Sequence, residues 1–356
     1  SKRGKNMGKK IAIVGAGAVG CQVGGHMVAN GEDVVFIDGW PEHVDKMNRD
    51  GLHLTGVTEA EEKIVPVRAI HMSDVQSLSR HDPIDIAFIC VKSYDTEWAT
   101  YLIKQYLAPQ GFIVSLQNCM NEEFIAKIAG WGKVTGCIAA KISVDLRGPA
   151  HVNRNVPLLG NSHTVFRAGE MHGEETDRIK EVARLCAYTD SAMVTNNLWG
   201  ERWSKLCLNA SGNGVAASTG LGAAAIAADP HLRMVKIKLA AESIAVGKAS
   251  GFKLEKMKGV TTDVYEAAVK GSADARKILD DGLIAEASKG NPNATPSMGQ
   301  DMRKGRRTEI DYMNGLVVAK GRETGVPTPV NEGLIAAVKK VERGEAKADP
   351  ALLADL

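Results

Sequence analysis

The chain has six cysteines but no CxxC pair and no regular spacing among them, so neither a dithiol redox motif nor a cysteine-based zinc site is written into it. Its nine histidines add no ligand set at workable spacing, and no metal is expected. Cys90, Cys137 and Cys207 lie in apolar runs and read as small buried thiols, which points to a reducing cytoplasm. An excess of charge of one sign is also missing. A net charge of +2, with no basic cluster interleaved with aromatics, excludes a strong pull toward nucleic acid or a membrane surface. No apolar run reaches the roughly 18 residues that a bilayer span needs, nothing reads as a signal peptide, and no segment repeats. Residues 1–6, ahead of Met7, read as a cloning remnant and stand outside the fold reasoning.

What the chain does have is length and glycine. Its 356 residues can bury a large core and form two domains. Ile11-Ala-Ile-Val14 is a short apolar run rich in β-branched residues, as a buried parallel strand requires, and it leads straight into Gly15-Ala16-Gly17-Ala18-Val19-Gly20. In this GxGxxG pattern Gly15 permits a tight turn, Gly17 lets backbone N–H groups approach a pyrophosphate, and Gly20 lets the next helix pack close to the strand. The helix N-terminus then faces the phosphates with partial positive charge. A second strand, Val34-Val-Phe-Ile37, ends in Asp38 at the distance where a carboxylate meets the adenosine ribose. No arginine follows in Gly39-Trp40-Pro41 to receive a 2′-phosphate, so NAD(H) is the expected cofactor, with NADP(H) second.

Strand patterns at 11–14, 34–37, 84–91 and 112–116 alternate with helical stretches near 18–30, 41–51, 95–107 and 120–129, which is the signature of a doubly wound parallel sheet. Residues 134–144, 150–153 and 156–159 read as strands of an antiparallel extension, and a helix at 174–188 and a strand near 192–195 close the domain. From Asn196 the pattern turns helical: 199–219, a helix opening at Asp229-Pro230 with aspartate as cap, and a long pair after 297. The expected fold is therefore an α/β Rossmann-type domain over 7–195 followed by an all-α domain over 196–345.

Two segments carry chemistry. In Trp203-Ser-Lys205-Leu-Cys-Leu-Asn209-Ala-Ser-Gly-Asn213, one lysine and two asparagines recur every four residues in an otherwise apolar and small segment, which places them on one helix face. Asparagine is a poor helix former, so two in this register call for a reason other than solvation. The stretch from Thr295 to Gly315 holds two helix-start patterns, Ser297 with Gln300 and Thr308 with Asp311, split by Gly305. That describes a bent segment presenting polar groups.

With the glycine turn, these segments resemble the ketopantoate reductase family, also called 2-dehydropantoate 2-reductases, over residues 9 to about 342. The resemblance implies a nicotinamide-dependent oxidoreductase acting on a 2-oxo acid. Lys205 would be its general acid and Asn209 and Asn213 its substrate anchors. It further implies that Lys92 contacts the cofactor and that Asn118, in Leu116-Gln-Asn118, meets both nicotinamide and substrate. Ser297 would bind substrate, doubling as a helix cap, and Glu309 would lie beside the cofactor ribose and the active site. Gly325-Val-Pro-Thr-Pro-Val-Asn331 is also family-like and reads as a turn into the last helix. The partners expected are a small-molecule 2-oxo or hydroxy acid, with a homodimer allowed.

The family pattern is departed from at three places, the first in the geometry of the Asn118 turn and the other two bearing on the substrate. Cys119 stands where the family has glycine after Asn118. The stretch Thr219-Gly-Leu-Gly-Ala-Ala-Ala-Ile-Ala lacks a family asparagine, and residues 254–294 are longer than the family norm. Besides a ketopantoate reductase, two readings stay open: an NAD-dependent dehydrogenase oxidising another hydroxy acid or polyol acid in catabolism, and a non-catalytic nicotinamide-binding sensor.

Overall fold

The computed structural model describes residues 8–160 and 162–356, so residues 1–6, read above as a cloning remnant, lie outside the described residues. The chain forms two compact units, one ending at Leu198 and the other spanning Trp199–Leu356.

The strands of the first unit are β1 (Lys10–Val14), β2 (Asp33–Asp38), β3 (Leu52–Thr55), β4 (Lys63–Val65), β5 (Arg68–His71), β6 (Ile84–Ile89), β7 (Leu107–Ser115), β8 (Val134–Ala139), β9 (Val144–Gly148), β10 (His151–Arg154), β11 (Phe166–Glu170) and β12 (Ala192–Val194). Its helices are α1 (Ala18–Ala29), α2 (Pro41–Asp50), α3 (Thr96–Lys104), α4 (Glu122–Ala129) and α5 (Asp177–Cys186). An eight-stranded sheet runs β12-β11-β8-β7-β6-β1-β2-β5, parallel from β8 to β5, with β11 antiparallel to β8. Burial explains the doubly wound form. Ile11 and Ile13 of β1 join the apolar cluster on one face, with Phe36, Phe88 and Met27, whereas Ala12 and Val14 join the other, with Ile37, Ile89 and Ile103. Because successive side chains point to opposite faces, a strand buried on both must be apolar throughout and needs helices on both sides.

The antiparallel extension takes a different form from the one expected. The run 134–144 divides between sheets: β8 stays in the main sheet, whereas β9 pairs with β10 in a separate four-stranded sheet, β4-β3-β10-β9. Residues 156–159 form no strand; the main chain there is held instead by Asp190, which accepts from the Leu159 and Gly160 N–H groups at 3.0 Å each. Asp190 also accepts from the Arg154 guanidinium at 2.6 Å, and both side chains are almost wholly buried. The expected helix 95–107 stops at Lys104, because Leu107 already belongs to β7.

The helices of the second unit are α6 (Leu198–Thr219), α7 (Ala223–Ala228), α8 (Pro230–Ala249), α9 (Thr262–Val269), α10 (Ala273–Ala287), α11 (Ser297–Arg303), α12 (Asn314–Thr324) and α13 (Pro329–Glu342). Asp229 caps α8, accepting from the His231 and Leu232 N–H groups at 2.8 and 3.2 Å. Helices α6 and α8 pack closely at Trp203, whose Nε1 donates to the Ser243 carbonyl at 2.8 Å. A Cβ on Gly247 would come within 2.3 Å of its ring. The stretch 254–294, expected to be longer than the family norm, is structured: α9 and α10 pack on α8 through Ile237, Ala268, Ala275 and Leu279. The long pair expected after 297 is three helices, since Gly305 at φ +65 ends α11 and a 3₁₀ turn at Ile310–Tyr312 precedes α12.

Candidate active site

In the first unit the glycine turn has the three properties its sequence predicts. Gly15 has φ +95, and a Cβ on it would come within 2.8 Å of Val91 and 3.0 Å of the Val91 main-chain nitrogen. A Cβ on Gly17 would meet nothing within 4 Å, so the space before α1 is open, and no side chain caps that helix. A Cβ on Gly20 would lie 2.2 Å from the Gly15 carbonyl oxygen, so any side chain there would push α1 off β1. An uncapped helix N-terminus behind open space fits a pyrophosphate.

Asp38 is bound into this turn. Its Oδ2 accepts from the Ala16 N–H and its Oδ1 from the Trp40 N–H, each at 2.9 Å. The same loop is tied from below by a residue the sequence did not single out. His43 is fully buried; its Nδ1 accepts from the Ala150 N–H at 2.8 Å, so Nε2 carries the proton and donates to the Ala16 carbonyl at 2.8 Å. No pattern in the sequence marks a histidine so far from the glycines as their support.

Lys92 follows Val91 at the C-terminal end of β6 and is half-buried. Asn118 is exposed in the turn after β7. Two amides join these loops: Gln117 Nε2 donates to the Val91 carbonyl at 2.9 Å, and Asn121 Nδ2 donates to Ser93 Oγ and to the Asn118 carbonyl at 3.0 Å each. Cys119 is buried and adopts φ +66, so the turn keeps the left-handed geometry that a glycine would supply. The glycine turn, Asp38, Lys92 and Asn118 thus gather at the C-terminal ends of β1, β2, β6 and β7, where open α/β sheets bind ligands.

In the second unit α6 carries Lys205, Asn209 and Asn213 within a single helix, as expected. The Asn213 Nδ2 donates back to the Asn209 carbonyl, and its Oδ1 accepts from the Met298 N–H, both at 3.3 Å. That second bond brings the start of α11, and with it exposed Ser297, to the α6 stripe. Ser297 is not the cap that the sequence suggested: Pro296 occupies the N-cap, and Ser297 is the first helical residue. The Asn209 amide and the Ser297 hydroxyl make no side-chain hydrogen bond among the described residues. Glu309 is buried at the start of the 3₁₀ turn, whose next residue, Ile310, would lie 3.4 Å from a Cβ on Gly214 of α6.

A buried amide network backs this stripe. Asn314 Nδ2 donates to the Ala210 carbonyl at 2.9 Å and to Asn331 Oδ1 at 2.8 Å; Asn331 Nδ2 donates to Glu242 Oε1 at 3.0 Å. Glu242 also accepts from the Val330 and Asn331 N–H groups at 3.0 Å each, although burial still holds its pKa above the ordinary carboxylate value. Asn331 therefore does more than end a turn: it links α8 and α13 to α12 and through it to α6. Its place in the Gly325–Asn331 pattern was the available signal, whereas Glu242 and Asn314 sit inside helices and gave none. The two substrate-related departures also meet. Ala223 N and Ala224 N donate to the Ala294 and Pro292 carbonyls at 3.0 and 3.1 Å, so the Ala-rich stretch lies against the residues leading to Ser297.

A glycine turn at the head of a parallel sheet, paired in one chain with a helical unit bearing a lysine–amide stripe, defines the class of two-domain nucleotide-linked oxidoreductases. The family profile "Ketopantoate reductase PanE/ApbA" matches residues 11–166, and its C-terminal counterpart matches residues 197–342. The 2-dehydropantoate 2-reductase of Archaeoglobus fulgidus is 30% identical over 94% of this chain and 99% of its own, and that of Pyrococcus horikoshii is 28% identical over 94% and 97%. Among solved structures, a PanE/ApbA family ketopantoate reductase from Ralstonia eutropha superposes with a TM-score of 0.75 at 27% identity, covering 94% of this chain and 99% of that one. D-mandelate dehydrogenase, solved with NADH and anilino(oxo)acetate, shares the fold with a TM-score of 0.76 at 21% identity, covering 94% and 98%. The chain belongs to the ketopantoate reductase family. It is an NAD(P)-dependent oxidoreductase acting on a CH–OH group, and the sensor reading falls. No helix among the described residues is long and apolar enough to cross a membrane.

Proposed function

We propose that the protein interconverts a 2-oxo acid and its 2-hydroxy acid with NAD(H) as the preferred cofactor, and that Lys205 is the proton donor to the ketone oxygen during reduction. The observation that carries this reading is the α6 stripe with Ser297 drawn to it through the Met298–Asn213 bond: one ammonium beside neutral donors and acceptors. When bound, the nicotinamide supplies or accepts a hydride. The protein's own groups then have separate tasks. The Lys205 ammonium stabilises the charge developing on the carbonyl oxygen and transfers a proton to it, while Asn209, Asn213 and Ser297 hold the acid end in line. In the nucleotide unit, Gly15 to Gly20 receive the pyrophosphate, Asp38 accepts from the ribose hydroxyls, Lys92 lies at the cofactor, and Asn118 orients the carboxamide end. Glu309 supports the active-site end of the cofactor.

The Ala-rich stretch packed on 292–294 replaces a family amide, and this favours an acid other than 2-dehydropantoate. A spectrophotometric panel of 2-oxo acids with NADH and NADPH, and of hydroxy acids with NAD, tests the reading; turnover of no acid in either direction would overturn it.

A further inference from the structure

Lys236, in the second turn of α8, has no part in the roles assigned above. It is half-buried and makes no hydrogen bond or ion pair with any described residue. Its Nζ and Cε each lie 3.9 Å from the point where a Cβ on Gly212 would stand. At about 100° per residue, Gly212 falls roughly 20° to one side of Lys205 on the α6 surface, while Asn209 and Asn213 fall about 40° and 80° to the other. Asn213 is the edge that meets the start of α11. The stripe therefore has two flanks: amide and hydroxyl groups on one, and an ammonium on the other.

No carboxylate among the described residues forms an ion pair with that ammonium. Lys258 and Glu286, at the two ends of the inserted α9–α10 segment, are the charged groups that act on it, and they pair with each other. Burial pulls the Lys236 pKa below the ordinary lysine value, Lys258 adds to the drop, and Glu286 opposes it. A half-buried ammonium with no ion-pair partner among the described residues is open to an anionic ligand, whose charge it would meet with less competition from water than a fully exposed lysine. Gly212 keeps the approach clear, because a side chain there would stand between Lys236 and the stripe.

We propose that Lys236 is a specificity-determining residue of the substrate site, and that it binds a second carboxylate at the far end of a 2-oxo dicarboxylic acid whose first carboxylate is held on the amide flank at Asn209, nearest to Lys205. This rests on the proposed reaction at Lys205. Lys205, at the ketone, and Gly212, beside Lys236, are two helical turns apart, about 10 Å along the axis, so the ketone and the second carboxylate are separated by several bonds.

The test compares 2-oxoglutarate and its longer homologue, 2-oxoadipate, with 2-oxobutyrate and 2-oxopentanoate, in the wild type and in Lys236→Met and Lys236→Arg. The expected result is a kcat/KM ratio of diacid to monoacid of at least about tenfold in the wild type. That ratio should collapse toward one in Lys236→Met, through KM rather than kcat, and be largely kept in Lys236→Arg. An unchanged ratio in Lys236→Met, or equal losses on both acid classes, would overturn the inference. Calorimetric binding of unreactive glutarate and butyrate separates this from failure of the proposed reaction. Glutarate preference lost in Lys236→Met supports the inference even if no acid turns over, and equal binding of the two in the wild type overturns it.

Discussion

The Asp38 carboxylate accepts a hydrogen bond from the Ala16 N–H at 2.9 Å, so the residue proposed to choose between the two nicotinamide cofactors also braces the glycine turn proposed to receive their phosphates. A carboxylate here accepts from ribose hydroxyls and repels a 2′-phosphate. NADH should therefore bind more tightly than NADPH. Asp38→Ala should lower NADH affinity by about ten- to a hundredfold, since a charge-assisted bond is worth roughly 1.5–3 kcal/mol, and should narrow the preference. Calorimetric titration of both cofactors decides; tighter binding of NADPH by the wild type would refute it.

Removing the proposed proton donor should leave the nucleotide unit untouched. Lys205→Ala is expected to lower kcat by roughly two to four orders of magnitude with near-normal cofactor affinity. A variant that keeps more than about a tenth of wild-type kcat takes Lys205 out of that role.

Cys119 holds a backbone conformation that costs an L residue about 1–2 kcal/mol, and the Asn118 turn depends on it. Cys119→Gly should keep kcat/KM within a few-fold. Cys119→Val, with a branched Cβ at positive φ, should be destabilised by at least about 2 kcal/mol. Urea unfolding of the two variants gives the comparison, and a Val variant as stable as the Gly variant would show that the turn does not need this geometry.

The Arg154–Asp190 pair makes stability acid-sensitive. Burial pushes the Asp190 pKa up, but bonds from the Leu159, Ser191 and Gly160 N–H groups and from Arg154 outweigh it, so the folded-state value lies below the ordinary 3.8. A depressed carboxylate stabilises the fold above its unfolded pKa and loses that contribution as pH falls through its folded value. Stability should thus decline below about pH 4. Asp190→Asn leaves a buried guanidinium unpaired, which should cost about 3–5 kcal/mol near neutral pH and shrink this acid-dependent part. Denaturant melts at pH 7 and pH 3.5 measure both effects.

The last expectation concerns 2-dehydropantoate itself. An absent amide partner costs about 1–3 kcal/mol of discrimination, which is roughly ten- to a hundredfold in kcat/KM. Reduction of 2-dehydropantoate should therefore be poor beside that of the preferred acid. A value of about 10⁴ M⁻¹s⁻¹ or more would show that the Ala-rich stretch at 223–225 is tolerated without loss.

Much of this architecture could be read before any coordinates, because it rests on local physics. A strand that is apolar throughout, glycines at fixed offsets and an aspartate at the next strand end specify the nucleotide turn through sterics and hydrogen bonding between near neighbours. Likewise, spacing of four alone puts Lys205, Asn209 and Asn213 along one helix. The bent stretch from 295 to 315 was legible for the same reason, with Gly305 marking its break.

The structure decided whatever depends on distant partners. Strands β3 and β4 are only four and three residues long, and β3 is ordered by pairing with β10 almost a hundred residues later, so no window of sequence contains the sheet they form. The run 134–144 looks continuous because its residues all suit strands; which sheet each half joins is set by neighbours from elsewhere. His43 beneath the glycine turn, the Asn314–Asn331–Glu242 network behind α6 and Lys236 beside Gly212 are ordinary helical residues until packing brings their partners to them. The sequence by itself determined the family, the nucleotide turn and the stripe on α6, since each is encoded in spacing along one segment. Which polar groups are buried, which are satisfied and which ammonium is left without a counterion was decided only by tertiary structure, because those are properties of residues distant in the chain that meet only when it folds.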